Sequence, residues 1–124
     1  MKRIALWAAP LAAALCLGST QLAAHAQLKR ATPPVGGTVT VADLPAEMHL
    51  WFSETIEPSF VQCRITDAEG NQVDLRNPRV NPEDHTEIRV SLPRLTPGLY
   101  RVSWRVMSVD THRTNGTFPF HVEP

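Results

Sequence analysis

Near the C-terminal end of this 124-residue chain, Asp110 and His112 stand two apart in Ser108-Val109-Asp110-Thr111-His112. In extended backbone that spacing sends both side chains from one face, with Cα atoms about 7 Å apart. A carboxylate and an imidazole so placed can converge on one cation. The pair also has a purely structural use, because Asp110 can accept a hydrogen bond from His112 or cap the following turn. Asp-x-His alone does not choose between these two uses.

A third donor-bearing residue lies at the other end of the chain. Met1-Lys2-Arg3 is a short basic segment, Ile4 to Gly18 an Ala/Leu-rich apolar run, and Ser19-Thr20-Gln21 leads to Leu22-Ala23-Ala24-His25-Ala26. Charge, apolar core and small residues in that order predict a secretory signal peptide. The apolar run falls short of the roughly 20 residues that span a bilayer. Leu15 precedes Cys16 where a lipoprotein signal wants a small residue. The Ala-rich form predicts export to a bacterial periplasm, with residues 1–24 as signal and 25–124 as one domain.

Cleavage after Ala24 would make His25 the first residue, whereas cleavage after Ala26 would remove it. Small residues at both sensitive positions favour the later cut on the local pattern. If His25 leads the chain, its α-amine, titrating at about 8, joins its own imidazole in one chelate. With His112 and Asp110 the set becomes three nitrogens and a carboxylate oxygen, which suits Cu(II). Cu(I) would want soft sulfur donors, and beyond residue 24 the methionines are Met48 and Met107.

The remaining candidates read as structural. His49 alternates with apolar residues and reads as a surface or second-layer histidine; His85 follows Asn81-Pro82-Glu83-Asp84 in an expected solvated loop; His121 has the polar parity of the last strand. Cys63 shares the parity of Val61 and Ile65 and reads as a buried, inert thiol. Composition excludes other classes. The chain balances 12 Lys+Arg against 12 Asp+Glu, and after residue 24 it holds 10 bases against 12 acids. That balance gives no reason to expect a nucleic acid. Gly-rich phosphate loops, Cys-x-x-Cys pairs and Gly-x-Ser-x-Gly elbows are missing from the sequence. The nine arginines of the domain are scattered over several strands and read as solvated faces, not an anion-binding patch.

The elements that must position these residues follow a period of two. Met48, Leu50 and Phe52; Val61, Cys63 and Ile65; Ile88, Val90 and Leu92; Tyr100, Val102, Trp104 and Val106; and Phe118, Phe120 and Val122 each alternate with other residues. Each set predicts a strand with one face in a core. Tyr100 and Trp104 are therefore expected inside, while Trp51 either covers a second layer or approaches the metal site. Turn residues separate the runs at Pro33–Gly37, Asp67–Asn71, Asn77-Pro78, Asn81-Pro82 and Thr96–Gly98. About 100 residues built this way predict a small antiparallel β-sandwich or Greek-key barrel. Pro119 inside the last run suggests an edge strand or a bulge.

Taken together, His25-Ala26-Gln27-Leu28, Pro33-Pro34-x-Gly36, Leu50-Trp51-Phe52-Ser53-Glu54, Leu95-Thr96-Pro97-Gly98-x-Tyr100-x-Val102-x-Trp104, Ser108-x-Asp110-x-His112 and Gly116-Thr117-Phe118-x-Phe120-x-Val122 resemble, in order, the periplasmic copper-resistance family CopC. The resemblance spans essentially the whole domain. It implies an immunoglobulin-like β-sandwich holding one Cu(II) through His25, Asp110 and His112, and it supports cleavage after Ala24. It also implies a copper carrier or sequestering protein, with a CopD-type inner-membrane protein as partner; with no further membrane segment here, that partner would be a separate chain. Some family members add a Met-rich Cu(I) loop. The stretch from Asp67 to Asp84 has no methionine, so this chain resembles the Cu(II)-only form, expected as a monomer and a non-enzyme. Two alternatives are a histidine-brace copper oxidoreductase, built on the same terminal chelate, and a metal-free structural sandwich.

Overall fold

A computed structural model describes residues 26–124. The alternating runs become strands whose apolar sets face each other across two sheets. The elements are β1 (Leu28–Thr32), β2 (Thr38–Thr40), β3 (Glu47–Phe52), β4 (Ile56–Thr66), β5 (Arg79–Asn81), β6 (Asp84–Ser91), β7 (Gly98–Ser108) and β8 (Arg113–Glu123). One sheet has the order β1-β3-β6-β5 and the other β2-β8-β7-β4. The molecule is an all-β sandwich, as the periodicity predicts.

The expected inward residues form the core: Met48, Leu50, Ile65, Ile88, Val90, Val102, Val106 and Val122 are fully buried. Trp104 packs edge-on to Phe52, with ring centroids 5.0 Å apart. Tyr100 stacks on Phe120 and donates its hydroxyl to the Thr96 carbonyl at 2.6 Å. This corner clamps the Thr96-Pro97-Gly98 turn onto β7, so both aromatics serve the fold. Cys63 is buried as expected. Burial, with the Asp74 carboxylate adding to it, pushes the thiol up to about 12.

Several elements differ from the sequence reading. β1, β2 and β5 were not expected; β1 buries only Ala31 of its five residues, so no alternation marks it. β4 begins at Ile56, well before Val61, because a bulge separates the pairs Ile56↔Ser108 and Val61↔Val106. His85 lies in β6, not in a loop, although its side chain is exposed as predicted. One pairing is parallel, that of β2 with β8.

Pro119 corrects the edge-or-bulge expectation. It pairs in register with Arg101, and β8 is interior to its sheet. Its carbonyl accepts from Gly36 N–H at 2.7 Å, and His121 N–H donates to the Gly37 carbonyl. The missing proline N–H therefore points to the β2 side, where pairing is only beginning, and the β7 ladder loses nothing.

Candidate metal centre

Strands β7 and β8 are joined by the turn 109–112, which carries Asp110 and His112. The expected extended backbone is not what brings them together. The Ser108 N–H donates to the His112 carbonyl at 2.9 Å, Thr111 N–H donates to the Ser108 carbonyl at 2.8 Å, and Thr111 has φ of 75°. Within this tight turn the two side chains still meet, with His112 Nδ1 3.1 Å from Asp110 Oδ2. The other carboxylate oxygen accepts from the Ser108 hydroxyl and from His112 N–H, the latter at 3.3 Å.

These contacts set the electrostatics. The Ser108 hydroxyl bond is the main influence, and the His112 bonds and charge assist it against a smaller opposing desolvation. Together they hold the Asp110 carboxyl down at about 2. Asp110 is thus an anionic oxygen donor throughout the physiological range. Both side chains are open to solvent, at 38% for Asp110 and 52% for His112. The pair makes the contacts a structural turn would make, and also presents one oxygen and one nitrogen donor to the outside.

Ser108 and Thr114 were not singled out in the sequence, yet both organise this end. Ser108 is 1% exposed. The signal was parity: Ser108 continues the inward set of Tyr100, Val102, Trp104 and Val106, where a polar residue needs a partner. Thr114 likewise continues the inward set of Phe118, Phe120 and Val122. Its hydroxyl donates to the Ala26 carbonyl at 2.8 Å, tying the start of the described chain to a residue two beyond His112. Gln27 is fixed next to it, donating to Ser53 Oγ at 2.9 Å and accepting from Ser53 N–H at 2.8 Å. His25 lies outside the described residues.

The other sequence candidates are placed elsewhere. His49 Nδ1 donates to Glu87 at 2.7 Å, the second-layer role expected. Trp51 lies on the outer face of the first sheet, with Arg30 over its ring at 3.9 Å and the His49 ring stacked at 5.5 Å. It is engaged there, not at the turn. Among the described residues no group of three or more His, Cys, Asp or Glu side chains is placed to hold a metal.

A small sandwich with a carboxylate–imidazole pair on one hairpin defines the class. The chain belongs to the CopC family: residues 28–123 match the CopC domain. Protein YobA of Escherichia coli K12 is 36% identical over 101 residues, covering 81% of this chain and 80% of the relative. Copper resistance protein C of Escherichia coli is 31% identical over 107 residues, covering 81% and 82%. Copper transport protein CutJ of Bacillus subtilis is 28% identical over 123 residues, which are 98% of this chain and 22% of that longer protein. Among solved structures, CopC from Methylosinus trichosporium OB3b superposes with a TM-score of 0.74 at 29% identity, covering 81% of this chain and 95% of that one. PcoC from Escherichia coli, described as a methionine-rich copper resistance protein, gives 0.67 at 29% identity, covering 81% and 100%.

Proposed function

We propose that this protein acts in copper homeostasis as a periplasmic Cu(II) carrier or sequestering protein. Its site consists of the amine and imidazole of His25, freed by cleavage after Ala24, together with Asp110 and His112. The observation that carries the reading is the Thr114–Ala26 hydrogen bond. It holds Ala26, the residue that follows His25 in sequence, against Thr114, 88 residues along the chain and two beyond His112. Family membership and relatives named for copper resistance and copper transport support the same metal.

The donor chemistry favours the cupric state. A nitrogen-rich set with a permanently ionised carboxylate suits Cu(II), while Cu(I) prefers thioethers and thiolates. Met48 is fully buried and Cys63 is buried, and the segment Asp67–Asp84 has no methionine. In this respect the chain contrasts with methionine-rich PcoC. A relative named for copper transport, of which this chain matches 22% of the length, supports a role in moving copper; the receiving partner in this reading is a separate membrane protein of CopD type. An anionic carboxylate ligand would also oppose reduction of the metal, which speaks against oxygen chemistry at the site.

Copper titration of the exported protein and of His25→Ala, His112→Ala and Asp110→Ala tests the assignment. Loss of either histidine should abolish tight binding. Loss of Asp110 should be milder, because water can take the place of one carboxylate oxygen. Equal tight binding by all three variants, or an exported protein whose mass begins at Gln27, would refute the site. Sustained ascorbate-driven peroxide formation by the loaded protein would replace the carrier with an oxidoreductase.

A further inference from the structure

The arginines that look scattered along the sequence are not scattered in space. Arg64 on β4, Arg101 and Arg105 on β7 and Arg113 on β8 are all exposed on the outer face of the second sheet. Arg64 is opposite Ser103, midway between Arg101 and Arg105; Arg113 is opposite Met107, next to Arg105 on the same face. Each step is a cross-strand diagonal of about 7–8 Å between Cα atoms. The four form a zigzag stripe that ends one residue from His112.

Among the described residues no carboxylate is paired with these arginines, although Asp67 lies at the Arg101 end of the stripe. Within the paired parts of its strands the acid on this side is Glu123, at the far end of β8. The opposite face behaves differently: Arg79 pairs with Glu47, Arg89 with Glu87, and Arg30 lies over Trp51. Among the described residues none of Arg64, Arg101, Arg105 and Arg113 is in an ion pair, and Arg113 lies over the Phe60 ring at 4.9 Å.

We propose that this face docks a partner protein through surface carboxylates, setting that partner against the β7–β8 turn. Every cation in the stripe is an arginine, whose planar fork grips a carboxylate with two parallel hydrogen bonds and is enriched at protein interfaces. Strand pairing holds the four positions in fixed register. Leu99, 54% exposed on the same face, adds an apolar contact at the end away from the turn. From residue 25 the domain carries 10 bases and 12 acids, a net negative charge that opposes adsorption to an extended anionic bilayer but not local pairing. The proposal rests on the metal reading only in what the docked partner would receive.

The test uses a hexaglutamate peptide as the probe, followed by amide NMR shifts of the folded domain. The shifts should cluster on β4, β7 and β8 and vanish at high salt. Arg64→Gln with Arg105→Gln should weaken binding about fivefold, with copper affinity unchanged. Arg30→Gln with Arg79→Gln, the same charge change on the opposite face, should leave it intact. Shifts spread over both faces, or equal weakening by the two pairs of substitutions, would overturn the proposal. So would a fall in copper affinity in the Arg64/Arg105 variant, or tighter binding to phosphatidylglycerol vesicles than to the peptide. The metal site fails or stands separately, in the copper titrations of its own variants.

Discussion

Asp110 owes its orientation to Ser108, a hydroxyl buried at the end of β7 that donates to the carboxylate and also approaches the His112 carbonyl at 3.3 Å. Bonds of this kind fix a ligand's direction and its ionisation, and their loss commonly weakens metal binding ten- to a hundredfold. Ser108→Ala should therefore weaken copper binding by about tenfold and raise the Asp110 pKa. Copper titration and carboxylate NMR read the two effects separately. Asp110 and His112 were legible from spacing alone, but the reason for their meeting was not. The alternation rule assumes extended backbone, whereas the pair meets because Thr111 turns the chain back.

Glu87 shows how one strand residue can hold three elements. Its carboxylate accepts from His49 on β3, Asn81 on β5 and Arg89 on β6, at 2.7, 2.9 and 2.8 Å. Burial by itself would raise its pKa; the bonds from Arg89, His49 and Asn81 and the Arg89 charge outweigh this and lower it to about 2. A depressed folded pKa means stability that is fully present above the unfolded value near 4.5 and lost as pH falls towards 2. Glu87→Gln should thus cost up to about 3 kcal/mol at neutral pH. Denaturant titrations should show that difference shrinking below about pH 4.5.

Strands β7 and β8 depend on a second close fit. Gly116 lies opposite Trp104, and a Cβ there would come within 2.6 Å of the indole. Gly116→Ala must displace the ring from Phe52, costing about 1–3 kcal/mol, and the tryptophan emission should shift as the indole moves. Alternation in the sequence placed Trp104 inward. It gave no sign that a glycine across the ladder makes room for it, since that pairing is a matter of register.

At the scale of the molecule, the proposed site closes the domain upon itself, joining the first residues to the β7–β8 turn. A ligand bound only by the folded state stabilises it in proportion to its occupancy. At free Cu(II) a hundredfold above Kd, the gain is about 2.7 kcal/mol, or roughly 10 °C or more in Tm for a domain of this size. Thermal scans should show that rise in the exported protein and its loss in His112→Ala.

The sequence by itself determined the all-β class, the core set from Met48 to Val122, the buried thiol and the Asp110–His112 pair, because side-chain alternation and short spacings are local properties of the chain. Tertiary structure alone decided that β1, β2 and β5 exist, that Pro119 sits at an interior strand, that Ala26 lies against Thr114 and that four arginines share one face. Those facts depend on strand order and register. Both arise from pairing between residues remote in sequence, and no local pattern encodes which remote residues will meet.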